Sequence, residues 1–157
     1  MEIVRLELLT LDETELLNRA EEAREKAYAP YSHFYVGAAV LSYDGQIFSG
    51  ANIENQHLGL TMCAERVALA NAYASGAKNI IKIGIISRGE NIQTFKPTMP
   101  CGACRQVIYE ASEVSGKDIM IVSANTKRDR ILVSSAYELL PFPFGPRDIG
   151  LDLSKYR

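Results

Sequence analysis

Long hydrophobic runs, clusters of a single charge and a disulfide-sized set of cysteines are all missing from this 157-residue chain. No stretch approaches the roughly 18 uninterrupted apolar residues of a membrane span. The opening Met1-Glu2-Ile3-Val4-Arg5 lacks the pattern of a secretory leader, so a cytoplasmic location is expected. No run of Lys or Arg exceeds Lys127-Arg128, and the net charge is −2. A nucleic-acid binder draws much of its affinity from counterion release at a basic surface. The expected partner is therefore a small, nearly neutral molecule, with no nucleic acid and no membrane. There are only three cysteines. An odd number in such a chain argues against a disulfide framework and leaves metal or redox chemistry. Internal repeats and low-complexity tracts are absent too. With 47% apolar residues, one domain over residues 1–157 around one buried core is expected.

What is present alternates between helical and strand patterns. Leu16, Ala20, Ala23 and Ala27, with Leu17 beside them, predict a helix from Asp12 to Ala29, opened by an Asp12/Glu15 capping box and stopped by Pro30. Apolar runs from Val36 to Tyr43 and from Gln46 to Ala51 flank Asp44-Gly45, a β-hairpin signal. A second helix begins at or just before Cys63 and ends at Gly76. Ile80 to Ser87 reads as a buried strand, and a third helix runs from Pro100-Cys101 to about Gly116. Ile119 to Ala124 and the strand from Ile131 are joined only by Asn125 to Arg130. That link is too short for a parallel crossover, so the pair is antiparallel and the sheet is mixed. Tyr137 to Leu140 reads as a short helical turn, and the tail from Arg147 to Arg157 carries little signal.

The cysteines fall as Cys63-Ala64-Glu65 and Pro100-Cys101-Gly102-Ala103-Cys104. A structural zinc usually takes four protein ligands, whereas a hydrolytic zinc keeps three and leaves one position to water. Three thiolates with Glu65 nearby therefore point to catalysis. Cys101 and Cys104, three apart at a helix start, share one face, and helix N-termini favour thiolate over thiol. Glu65 stands two residues from Cys63. That spacing puts its carboxylate beside a bound metal only if the two residues occupy the first turn and not regular helix. Arg66 and Arg105 each follow a key residue, and either could offset the negative charge of three thiolates. Two other readings stay open on these residues alone. His33 or His57 could complete a structural zinc site, although both suit packing or hydrogen bonding better, and Cys101 and Cys104 could form a redox pair.

Cys63-Ala64-Glu65-Arg66 and Pro100-Cys101-Gly102-Ala103-Cys104-Arg105-Gln106 resemble the zinc signature of the three-cysteine, homotetrameric cytidine deaminases. Ala29-Pro30-Tyr31-Ser32-His33-Phe34, Asn52-Ile53-Glu54-Asn55, and Leu139-Leu140-Pro141 through Phe144-Gly145-Pro146 match that family in type and order. The resemblance runs from about Ala27 to Asp148. It implies an α/β fold, a three-layer α/β/α sandwich with a five-stranded mixed sheet. It also implies one Zn²⁺ per chain, a homotetramer with active sites shared between chains, and pyrimidine-salvage chemistry. The implied reaction is hydrolysis of cytidine and deoxycytidine to uridine and deoxyuridine with release of ammonia, through zinc-activated hydroxide.

On the matching positions, the resemblance implies Cys63, Cys101 and Cys104 as zinc ligands and Glu65 as the proton shuttle. It further implies Asn52 and Glu54 at the ribose hydroxyls, the backbone of Ala64 at the base edge and Phe34 packed on the nucleoside. Phe144, from a neighbouring chain, would cover the base, and Arg66 is the better arginine for the sulfurs. Without the resemblance, Asn52 and Glu54 read as turn chemistry and the two phenylalanines as core. Leu58 stands where the family commonly has an aromatic residue, Gln56-His57 replaces small residues, and Tyr35 replaces a proline. These departures bear on substrate preference. The alternatives are a deaminase of another aminopyrimidine, such as a blasticidin S-like antibiotic, and a non-catalytic zinc-stabilised binding module.

Overall fold

A computed structural model describes residues 2–157. Its strands and helices follow in the order β1 (Glu2–Val4), α1 (Leu11–Arg24), β2 (Phe34–Ser42), β3 (Ile47–Ala51), α2 (Ala64–Ala74), β4 (Ile80–Gly89), α3 (Gly102–Ser115), β5 (Met120–Ala124), β6 (Ile131–Ser135) and α4 (Ala136–Leu139). The strands form one sheet in the order β1-β6-β5-β4-β2-β3. β4 and β5 are parallel, with α3 as their crossover, and the other pairs are antiparallel. The five expected strands are all in this mixed sheet, and β1 adds a sixth at its edge. Glu2–Val4 is too short to carry a period of its own, and pairing with β6 is what makes it a strand.

Two boundaries of α1 differ from the sequence reading. Its capping box is Thr10 with Glu13 and not Asp12 with Glu15. Thr10 has extended backbone geometry, its hydroxyl accepts the Glu13 amide at 3.3 Å, and Glu13 Oε2 accepts the Thr10 amide at 2.9 Å. Asp12 already lies inside the helix. The helix also stops at Arg24, well before Pro30. The Tyr28 amide donates to the Asn52 carbonyl at 3.0 Å and the Tyr28 carbonyl accepts the Glu54 amide at 2.8 Å, so this backbone is committed to a bridge with the chain after β3.

Alternation along the strands builds the layers. Ala38 and Val40 of β2 pack with Ala68, Leu69 and Ile108 of α2 and α3, whereas Ala39 and Leu41 pack with Leu16, Leu17 and Ala20 of α1. The sheet is thus buried on both faces. Ile83, Ile85, Ile108 and Ile121 are fully buried or nearly so, and each contributes roughly 1.5–3 kcal/mol through removal from water. Among the described residues, no helix is long and apolar enough to cross a membrane.

Small residues let the first turn of α2 come down onto the sheet. A Cβ on Gly50 would stand 2.4 Å from the Ala68 nitrogen and 2.8 Å from the Ala64 carbonyl oxygen, both backbone atoms that cannot swing aside. Gly50→Ala is expected to destabilise the fold by about 1–3 kcal/mol through overpacking. The measurement is the urea midpoint, and an unchanged midpoint would contradict this close approach.

Candidate active site

Cys63 is the N-cap of α2 and Cys101 the N-cap of α3, and both have the extended backbone angles of a cap. An N-cap side chain ordinarily accepts a hydrogen bond from the first turn. Neither cysteine does so, which leaves both sulfurs available. Cys104 follows in the first turn of α3. The three Sγ atoms lie within 4.8 Å of one another, and those of Cys63 and Cys101 are 3.8 Å apart. Thiolates placed tetrahedrally at a zinc–sulfur distance near 2.3 Å are about 3.8 Å apart. The donor set and its spacing therefore fit a zinc ion. Among the described residues neither histidine joins the cluster: His33 Nδ1 lies 3.6 Å from Glu90, and His57 is exposed.

Buried hydroxyls brace the loop that delivers Cys101. Ser123 Oγ donates to the Thr98 carbonyl at 2.6 Å, Thr126 Oγ1 donates to the Ser87 carbonyl at 2.8 Å, and the Ser87 and Thr98 hydroxyls share a hydrogen bond. Ser87 and Ser123 are completely buried, so these bonds replace water that cannot reach them. Arg105 serves the same end. Its Nε donates to the Pro100 carbonyl at 2.9 Å and its Nη1 to the Leu139 carbonyl at 3.2 Å, so it fastens the start of α3 and does not face the sulfurs. Arg66 does face them. Its Nη2 donates to the Thr61 carbonyl at 2.7 Å and lies 4.0 Å from Cys63 Sγ.

The cluster is electrostatically uneven when it holds only protons. Hydrogen bonds from Cys104 and then Cys101, together with Arg66, hold the Cys63 thiol down to about 5 against the opposing effect of burial. Cys104 is pushed well above the ordinary thiol range, first by its hydrogen bond to Cys63 and then by burial and the Glu65 charge. Burial raises the Glu65 carboxyl above its usual range, its own amide lowers it in part, and the Cys63 charge raises it again. One thiolate, that of Cys63, thus forms readily, while Cys104 resists ionisation.

Glu65 is only 4% exposed and lies in the first turn of α2. Because Cys63 is a cap and not a regular helical residue, their two-residue spacing still brings the carboxyl to the sulfurs. Glu65, Cys63 and Cys101 line one cavity of about 270 Å³, and Phe34, Asn52, Glu54 and Ala64 line it too. The helix start leaves the first amides of α2 without helical partners, which leaves the Ala64 N–H as a donor for a ligand.

Asn52 and Glu54 both brace the backbone around the cavity that they line. Asn52 Oδ1 accepts the Val36 amide at 2.8 Å and Nδ2 donates to the Phe34 carbonyl at 2.9 Å, so this buried side chain continues the edge of β2. Glu54 Oε2 accepts the Tyr31 and Ser32 amides at 2.9 and 3.2 Å and braces the turn in which His33 takes φ 52°. Burial raises the Glu54 carboxyl, yet the Ser32 side chain and these amides more than offset it and keep the group anionic.

Phe144 does not line this cavity; it is 71% exposed, and Leu58 is likewise exposed. Residues that the sequence reading did not single out, Ser32, Val36, Thr61, Met62, Thr98 and Met99, complete the wall. Adjacency was the available signal for four of them, since Thr61-Met62 precedes Cys63 and Thr98-Met99 precedes Pro100-Cys101.

A family model described as the cytidine and deoxycytidylate deaminase zinc-binding region matches residues 11–120. The chain is 42% identical over 140 residues to the cytidine deaminase of Halalkalibacterium halodurans, covering 89% of this chain and 99% of that protein. It is 35% identical over 134 residues to the cytidine deaminase of Mycobacterium tuberculosis, covering 85% of this chain and 90% of the relative. The crystal structure of a cytidine deaminase from Burkholderia pseudomallei superposes with a TM-score of 0.75 at 42% identity, over 87% of this chain and all of that one. A matched region that spans most of the chain and contains all three cysteines, with relatives aligned over nearly their whole length, places this chain in the cytidine and deoxycytidylate deaminase zinc-binding family.

Proposed function

We propose that this chain is a zinc-dependent cytidine deaminase that hydrolyses cytidine and deoxycytidine to the uridine nucleosides and ammonia. One observation carries the reading: a buried carboxyl, Glu65, shares a cavity with thiols spaced for a single zinc ion. A structural zinc site or a redox pair gives that carboxyl no task. The names of the relatives favour cytidine over an antibiotic nucleoside. In this reading residues 1–157 form one deaminase domain, and the reduced cysteines suit work in the cytoplasm.

Cys63, Cys101 and Cys104 would hold the metal, and Arg66 would temper their combined charge through Cys63. When bound, zinc is a Lewis acid that generates a nucleophile from water at neutral pH. As in zinc deaminases as a class, Glu65 would take one proton from the attacking water and pass it to N3 of the base, then take the second from the hydroxyl added at C4 and deliver it to the amine that leaves. The Ala64 backbone would read the base edge, and Phe34 would supply an apolar wall. Asn52 has a second amide proton beyond the one given to Phe34, and Glu54 a second carboxylate oxygen, and these would hold the ribose hydroxyls. Phe144 is 71% exposed and lies outside this cavity, which supports a homotetramer in which Phe144 of one chain covers the base held by another.

Glu65→Gln is expected to retain about one zinc per chain, because Glu65 is no ligand, and to lose at least about a hundredfold in kcat, the scale of general acid–base catalysis. Metal analysis and ammonia release on one sample decide this, and near-normal turnover would end the shuttle role. Cys101→Ala is expected to abolish zinc binding and to lower the thermal midpoint to that of the chelator-treated enzyme, since metal binding and folding are coupled. Full zinc content in that variant would remove Cys101 from the ligand set. Ammonia release from cytidine, deoxycytidine, cytosine, adenosine and blasticidin S tests substrate class. The two pyrimidine nucleosides should be turned over, and activity confined to blasticidin S would overturn the assignment.

A further inference from the structure

α3 carries the metal-binding turn at its start and a clamp along one face. Gln106, Tyr109 and Glu113 recur at helical spacing and grip the segment that contains Phe144. Gln106 Nε2 donates to the Phe144 carbonyl at 3.0 Å. The Tyr109 ring lies so close to Gly145 that a Cβ there would stand 2.4 Å from Cε1, which holds the next residue flat against the helix. Glu113 is buried and uses both oxygens: Oε1 accepts the Tyr137 hydroxyl at 2.8 Å, and Oε2 meets Arg147 Nε at 2.5 Å. Asp148 Oδ2 accepts the Gly145 amide at 2.6 Å and tightens the turn between these contacts.

The Phe144 side chain gains nothing from this mounting within its own chain. It stays 71% exposed and outside the cavity that holds Glu65. A single exposed apolar residue needs no explanation by itself. A backbone fixed on both sides of a bare aromatic does, because the ordering entropy has been spent before any contact is made. Such preorganisation strengthens binding to whatever receives the ring.

We propose that Glu113 and Arg147 are positioning residues whose ion pair, seated against Tyr137, holds Phe144 in the orientation in which a second copy of this chain receives it over the bound nucleoside. The proposal rests on the reading of Phe144 given above as a residue that covers the base in trans. Arg147 is the outer half of the pair, with its side chain 73% exposed, while the Glu113 side chain is 5% exposed. Removal of Arg147 leaves the carboxylate with Tyr137 alone and frees the segment to move, without touching the metal turn at the other end of α3.

Steady-state kinetics on cytidine with the zinc-loaded enzyme test this, using Arg147→Ala, Arg147→Lys, Phe144→Ala and the Phe144→Ala/Arg147→Ala double variant. Arg147→Ala should raise KM about threefold to tenfold, the scale of one aromatic contact. Its kcat should stay within about twofold, as expected when binding alone is weakened. Zinc content and assembly state should match the parent, the thermal midpoint should fall only modestly because Glu113 keeps its Tyr137 hydrogen bond, and Arg147→Lys should recover most of the lost affinity. The double variant should be no worse than Phe144→Ala, because the effect passes through that ring. A raised KM in Phe144→Ala with a normal KM in Arg147→Ala would overturn the clamp and leave the role of Phe144 standing. Additive losses, or loss of zinc or assembly in Arg147→Ala, would also overturn it. A normal KM in Phe144→Ala would instead sink the trans reading itself.

Discussion

Everything at this site depends on two helix starts meeting at one point with a cysteine capping each. Bringing three sulfurs within 4.8 Å concentrates groups that resist sharing negative charge, which is why Cys63 ionises early and Cys104 is pushed far upward. Each helix N-terminus offers about 0.3–2 kcal/mol to an anion. Desolvating a bare ion costs several kcal/mol. Dipoles and one guanidinium at 4.0 Å cannot hold three thiolates together on those terms. A divalent cation can, and the 3.8 Å separation of Cys63 and Cys101 is the separation such a cation imposes.

The rest of the fold can be understood as what keeps those two caps in register. α2 is lowered onto the sheet over Gly50, and α3 is fixed by Arg105 at Pro100 and Leu139. The parallel pair β4 and β5 sets the crossover that returns the chain to the same place. Hydroxyls of Ser87, Ser123 and Thr126 then hold the loop between β4 and Cys101. Apolar burial alone would specify the layers but not this loop, whose polar backbone needs partners that the core cannot give. Hydrogen bonds here do the positioning, and the isoleucine-rich sheet does the stabilising.

Much of this architecture was legible in the chain because it is local. The Asp44-Gly45 hairpin, the helix ends at Gly76 and Gly116, and the antiparallel β5 and β6 all follow from turn chemistry and link length. The cluster of three sulfurs was legible because cysteine is scarce here and its spacing is diagnostic. What escaped depends on partners distant in sequence. β1 exists because β6 pairs with it, and α1 ends at Arg24 because Tyr28 is claimed by Asn52 and Glu54. The capping box lay at Thr10 because both the Asp12 and the Thr10 pairings satisfy the same pattern, and only backbone geometry separates them. Thr98 and Met99 line the cavity through a loop whose course is set by hydroxyls on other strands.

Asn52 shows how a structural role can leave room for the functional one proposed for it. Its carboxamide has one acceptor oxygen and two amide protons, and the β2 backbone takes the oxygen and one proton. Those two bonds leave the side chain no freedom to turn, since either rotation would strand an amide or carbonyl of β2. The remaining proton is therefore aimed by the sheet itself. Glu54 follows the same logic, with one oxygen engaged by the Tyr31 and Ser32 amides and held anionic by them. A hydroxyl-bearing ligand entering this cavity would meet groups already oriented by the fold's own hydrogen bonds, and binding would not have to supply the cost of ordering them.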